Sequence, residues 1–166
     1  MTGLIDYTDL TELGRGAQIT LLGLRSFASG GTNCCCLNKT YQNLLGEKNA
    51  KWTLGRLHNM AHNISEQSRR HLKFAVSGCV RITYDEASIL GAISASQDED
   101  DDLSISHLTW LIGCKPGFGI ISACEDFGGA LNLAGLIVPK PEALNPAWLG
   151  QSAQHFDGPH LVASAM

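Results

Sequence analysis

The chain has 166 residues, 44% of them apolar and 17% charged, with a formal net charge of −4. That length and balance suit a single folded domain and exclude bulk disorder. The acidic balance excludes a uniformly basic surface, so neither nucleic acid nor an anionic membrane is an expected partner.

In chain order, the apolar positions Leu10, Leu13, Ala17, Leu21, Leu24 and Ala28 follow steps of three and four. They predict a first helix from about Thr8 to Ser29, stopped at Gly30-Gly31. Interior Gly14, Gly16 and Gly23 cost up to ~1 kcal/mol each, a cost that close packing against a neighbouring helix offsets. A second helix starts at Asn33 as N-cap, carries Cys34, Leu37, Tyr41, Leu44 and Leu45 on one face, and ends at Gly46. A third spans about 49–70 with the stripe Leu54, Leu57, Ala61 and Ile64. His71 to Val76 alternates like a strand, yet with no second strand in view it reads as an extended connector.

Thr83-Tyr84-Asp85-Glu86 has the spacing of a capping box, with two acids suited to the positive end of a helix dipole. The fourth helix runs on to Ser96. After the acidic loop 98–102 comes a fifth helix, about Leu103 to Gly113, and after Pro116-Gly117 a sixth, Gly119 to Ala134, with the stripe Ile120, Cys124, Phe127, Leu131 and Ala134. Pro139, Pro141, Pro146 and Pro159 then break any helix. The expectation is an all-α fold, an irregular bundle of five to six helices over residues 1–138 with one short extended connector. Residues 139–166 form a loosely ordered tail whose one anchor is Trp148-Leu149.

No positive region followed by an apolar run opens the chain, and the apolar stretches Ile105 to Cys114 and Ala130 to Val138 fall short of the roughly 18 residues that span a bilayer. A soluble, cytoplasmic protein is expected. Its six cysteines are expected to be reduced, because three are consecutive and neighbouring cysteines bridge only in strained geometry.

Two clusters have the residue types of metal or redox chemistry. Cys34-Cys35-Cys36 offers soft thiolates, but consecutive helical residues point about 100° apart and no C-x2-C pair is present, which favours packing. His58 and His62 stand at i, i+4 on one helix face, with Glu66 one turn further; the glutamate of H-E-x-x-H is missing. Asp98, Asp100 and Asp102 match the start of a calcium loop, which then fails at Leu103 and Thr109. Gly117-Phe118-Gly119 could offer backbone N–H groups to an anion, although a simple turn is the commoner use. Arg69 and Arg70 read as surface charges. No phosphate-binding, dinucleotide-binding or serine-nucleophile motif is present.

Cys79-Val80-Arg81-Ile82-Thr83-Tyr84-Asp85-Glu86, set beside Leu108-Thr109-Trp110-Leu111, resembles a group of short bacterial helical proteins. In that group, a domain of unknown function, a cysteine-containing segment precedes a T-x-D-E helix start. The likeness covers about residues 10–136. This chain departs from the pattern by carrying its cysteine run near residue 35. The resemblance implies a helical domain and no activity or cofactor.

The leading functional expectation is a non-enzymatic protein acting through contacts with another protein or with itself. The alternative is a metal- or thiol-redox-responsive protein that uses Cys35, Cys36, Cys79, His58 and His62 for zinc or another thiophilic metal, which requires at least three of these donors to converge. A third reading, an enzyme with an unfamiliar helical site, requires a concave pocket holding titratable groups.

Overall fold

The computed structural model describes residues 4–30 and 35–140, with only the backbone described for residues 4–8. Asn33 and Cys34, and the tail from residue 141 onward with its Trp148 anchor, lie outside the described residues. The fold is all-α: six helices, α1 (Gly14–Ala28), α2 (Cys35–Leu45), α3 (Glu47–Gln67), α4 (Tyr84–Gln97), α5 (Asp101–Ile112) and α6 (Phe118–Leu133), enclose one core. Among the described residues no helix is long and apolar enough to cross a membrane.

The chain before α1 departs from the expected helix. Leu4–Asp9 is a strand, β1, and Leu10–Leu13 a single 3-10 turn capped by Asp9, whose Oδ1 accepts the Thr11 N–H at 2.8 Å. The partner of β1 is β2 (Arg81–Thr83), antiparallel and with an irregular register between Leu4↔Thr83 and Asp9↔Arg81. Two strands more than 70 residues apart cannot be recognised by periodicity in either one, and three residues are too few to show an alternation. His71 to Val76 has no regular secondary structure, as an extended connector should.

α4 sits in the centre. Eleven of its fourteen residues, from Asp85 to Ala95, are buried, and it packs on α5, α6, α1 and β2. A helix buried all round needs small side chains to let its neighbours approach. A Cβ added at Gly91 would lie 2.7 Å from the His107 imidazole on α5. The glycines of α1 have the same cause. At Gly23 a Cβ would collide with Leu57 of α3, and at Gly16 it would stand 3.0 Å from the Ile137 carbonyl. Gly113, at φ 76°, closes α5 in the left-handed region that costs other residues most.

The acidic loop serves its neighbours. Asp100 Oδ1 accepts the Leu103 N–H at 3.1 Å and caps α5, while Asp98 pairs with Lys140 at 3.4 Å. At the start of α6 the Gly117 N–H donates to Gln67 Oε1 at 2.9 Å, so α3 rather than an anion takes it up. Gly119 leaves room for Asn63, which would stand 2.9 Å from an added Cβ.

Candidate functional site

The first turn of α4 organises one side of the molecule. Its capping box is complete: Glu86 N–H donates to Thr83 Oγ1 at 3.1 Å, and Thr83 N–H donates to Glu86 Oε2 at 2.9 Å. The same glutamate, fully buried, also receives one edge of a guanidinium from α1, with Arg25 Nε donating to Oε1 at 2.6 Å and Nη2 to Oε2 at 2.9 Å. Arg25 is 4% exposed and uses its remaining donors on the Cys79 carbonyl (Nη1, 2.7 Å) and the Arg81 carbonyl (Nη2, 2.9 Å). A buried ion pair persists only when its other lone pairs and protons are satisfied, and here the backbone of 75–83 satisfies them. Ala75 N–H completes the set on Oε1 at 3.1 Å.

Asp85, one residue earlier, holds the rest of the connector. Its Oδ1 accepts from Arg70 Nη2 at 2.5 Å and its Oδ2 from the Lys73 N–H at 2.6 Å. Arg70 is therefore a half-buried structural partner, not a surface charge, and its guanidinium also lies 5.0 Å from the centre of the Trp110 ring. Thr83 Oγ1 donates to the Lys73 carbonyl at 2.6 Å. Together these bonds strap residues 70–83, which have little secondary structure of their own, onto α4.

The strapped segment forms one wall of a groove of about 770 Å³. Its floor is Leu24 of α1, Ile64 of α3 and Ile89 of α4, all buried. Half-buried Phe27, Leu72 and Phe74 make the walls. The exposed residues Ala28, Ser65, Arg69 and His71 edge the mouth, so the groove faces solvent. Every charged residue lining it is cationic, and among the described residues Arg69 has no ion pair. Ser68 is not set against a base: its hydroxyl donates to the Arg70 carbonyl at 2.7 Å. A volume of this size lies within the usual range for a binding cleft, about 300–1,000 Å³.

The residues singled out from the sequence are spread around this frame. Cys35 and Cys36 are exposed in the first turn of α2. Cys79 is half-buried in the turn before β2, where its N–H donates to the Val76 carbonyl at 3.1 Å. His58 and His62 are exposed on α3, with the His58 ring edge-on to Phe27 at 5.4 Å, which places it beside the groove. Among the described residues no three His, Cys, Asp or Glu side chains gather as the donors of a metal ion would. Among the described residues no cysteine forms a disulfide.

Buried His107 escaped sequence reasoning, whereas Cys124 lies on the stripe expected for α6. Burial, reinforced by Lys140, lowers the His107 pKa from 6.5 to about 4, so the ring is neutral at physiological pH. Burial raises the Cys124 thiol to about 11, partly offset by hydrogen bonds from Ser96 and Ser104. The groove too was hidden, since its lining comes from four separate segments. The only trace in the sequence was the unusual Ser68-Arg69-Arg70-His71 run between two apolar stretches.

Comparison with protein-family models, with curated proteins and with solved structures finds no match to this chain.

Proposed function

We propose that the protein acts without catalysis, by contact with another protein, and that the groove between α1, α3 and the 68–74 segment is the contact surface. The partner segment that fits is amphipathic and acidic. Its apolar side chains would occupy the floor formed by Leu24, Ile64 and Ile89, and its carboxylates would meet Arg69 and His71 at the mouth. The observation that carries this reading is the separation within the lining: buried Leu24, Ile64 and Ile89 form the floor, exposed Arg69 and His71 stand at the edge, and the third basic residue, Arg70, is already paired with Asp85. Burial of apolar surface supplies affinity, and complementary charge at the rim selects the partner and its orientation.

The strap supports the reading, because a wall held by buried ion pairs is preorganised and loses little freedom on binding. The segments that carry the likeness to bacterial helical proteins have structural roles here: Thr83 and Glu86 cap α4, and Leu108 and Leu111 are core. We extend that likeness to the proposal that such domains work by contact. Cytoplasmic residence belongs to the same proposal, and it is compatible with the absence of any disulfide among the described cysteines.

The test uses a labelled helical peptide with leucines at i, i+3, i+4 and i+7 and glutamates on the flanks, with a lysine-flanked twin as control. Fluorescence anisotropy on the full chain should show preference for the acidic peptide. Ser65→Trp, which fills the mouth from an exposed position, should abolish binding, and Arg69→Glu should reverse the preference. Equal binding of both peptides, or binding indifferent to both substitutions, refutes the proposal.

A further inference from the structure

Every described glycine but two has a cause within the fold, either a positive φ or a neighbour that an added Cβ would meet within 4 Å. The exceptions, Gly55 in α3 and Gly129 in α6, are exposed, sit inside their helices, and would meet nothing. Glycine inside a helix is destabilising relative to alanine, so these two have no reason in the single chain. α3 and α6 run antiparallel, with Arg56 3.4 Å from Asp126 and the Gly117 N–H bonded to Gln67, which brings Gly55 and Gly129 to nearly the same level. We infer that this α3/α6 face is where two copies of the chain associate, α3 of each lying over α6 of the other.

The face exposes apolar side chains that such a contact would bury. Trp52, one turn before Gly55, is 43% exposed. Phe118 and Leu133, 84% and 81% exposed, share the stripe of α6 that contains Gly129. Lys48, Lys51, Trp52 and Arg56 border a hollow at Gly55, and Leu133 of the second copy enters it.

The charges select a second copy of this chain. α3 carries Lys48 and Lys51 near its start and Glu66 near its end, while Lys115 precedes α6 and Glu125 lies at its middle. All are exposed, and among the described residues none of them has an ion pair. Of the other ionisable groups here, Arg56 and Asp126 hold each other, His62 lies between the two ends, and Glu47 stands on the far flank of α3. Because the helices are antiparallel, Glu66 is level with Lys115, and Lys51 is about 9 Å along from Glu125, within the range of attraction between charges. A half-turn about an axis parallel to the helices keeps these levels and exchanges α3 for α6. Each acid of one copy then faces a base of the other, at both ends of the face. A face about 24 Å long and two helices wide offers roughly 500 Å² per copy, the size of a weak, reversible dimer. Trp52 and Ser65 lie about 140° apart around α3, so the contact leaves the groove open and stands apart from the function proposed above.

Sedimentation equilibrium of the full chain from about 10 to 500 µM should show reversible dimerisation with a Kd on the order of 100 µM. Gly129→Arg adds bulk where nothing stands within 4 Å. It should keep or raise Tm and abolish the dimer. Two charge-conserving variants test the pairing: Lys51→Glu/Glu66→Lys reverses α3, and Lys115→Glu/Glu125→Lys reverses α6. Each alone should stay monomeric over this range, and their equimolar mixture should restore the dimer. An unsubstituted chain that is monomeric throughout overturns the inference, as does a Gly129→Arg chain that still dimerises. A lowered Tm for Gly129→Arg would give that glycine a cause inside the single chain and overturn it equally. So would reversed chains that dimerise alone, or a mixture no better associated than its components.

Discussion

Replacing Glu86 by Gln tests the strap at its centre. Four donors converge on the two carboxylate oxygens: Arg25 Nε and Nη2, Ala75 N–H and Thr83 N–H, at 2.6 to 3.1 Å. A glutamine keeps one accepting oxygen, turns an NH2 group toward donors, and leaves the buried Arg25 charge without its counter-ion. Removing one partner of a buried ion pair costs about 3–5 kcal/mol, a large share of the roughly 5–15 kcal/mol that holds a domain folded. With an m-value of about 2 kcal/mol per molar urea, the midpoint should fall by about 2 M. Urea unfolding followed by far-ultraviolet circular dichroism reads the global loss. Amide exchange should rise at Ala75 and Thr83, whose N–H groups lose their acceptor. The Arg25→Met/Glu86→Leu chain should lose less than the sum of the two single changes, because neither charge remains buried alone. It should not recover fully, since the Cys79 and Arg81 carbonyls lose their donor. A loss below about 1 kcal/mol for Glu86→Gln at unchanged m would refute the account of the strap.

Other consequences are equally direct. Gly91→Ala drives a methyl to 2.7 Å from the His107 ring, and overpacking of this kind costs about 1–3 kcal/mol. Calorimetry should show a lowered Tm for Gly91→Ala, and an unchanged Tm would mean that α4 and α5 separate freely. Because His107 is held near 4 in the fold against 6.5 when free, the unfolded chain takes up the proton first as pH falls. Its share of stability is complete above about pH 6.5 and is lost through about pH 4, to a total of roughly 3 kcal/mol. Stability measured from pH 7 to 4 should lose that dependence in His107→Gln, and parallel profiles for the two chains would contradict it. Thiol reactivity should divide the cysteines. At about pH 8 iodoacetamide should label exposed Cys35 and Cys36 well before Cys124, which is buried with its thiol raised to about 11. Early labelling of Cys124 in the folded chain, read by peptide mass spectrometry, would overturn its assigned environment.

The features legible from the sequence are those whose cause is local. Thr83 and Glu86 lie three residues apart, so their capping box can be read without any tertiary knowledge, and α4 begins where that spacing places it. Gly46 and Gly113 stop helices for the same kind of reason, as a backbone preference of a single residue. The stripe Ile120, Cys124, Phe127 and Leu131 marks a buried face of α6 because helical periodicity is set by 3.6 residues per turn. These local rules are enough to place the six helices and to predict an all-α core.

What joins distant segments is set by tertiary structure alone. β1 meets β2 across more than 70 residues, and hydrogen-bonded strands carry no sign of their partner in a three-residue segment. Arg25 and Glu86 are 61 residues apart, and nothing local distinguishes Arg25 from a solvent-exposed arginine on an amphipathic helix. Arg70 read as a surface charge for that reason, since only the approach of α4 brings Asp85 to it. The groove is the strongest case. Its floor, walls and rim come from α1, α3, α4 and the strap, so it exists only after the carboxylates of α4 have drawn the 70–83 segment into place. Local spacing determines which segments are helical, and the pairing of charges remote in the chain determines the surface they build between them.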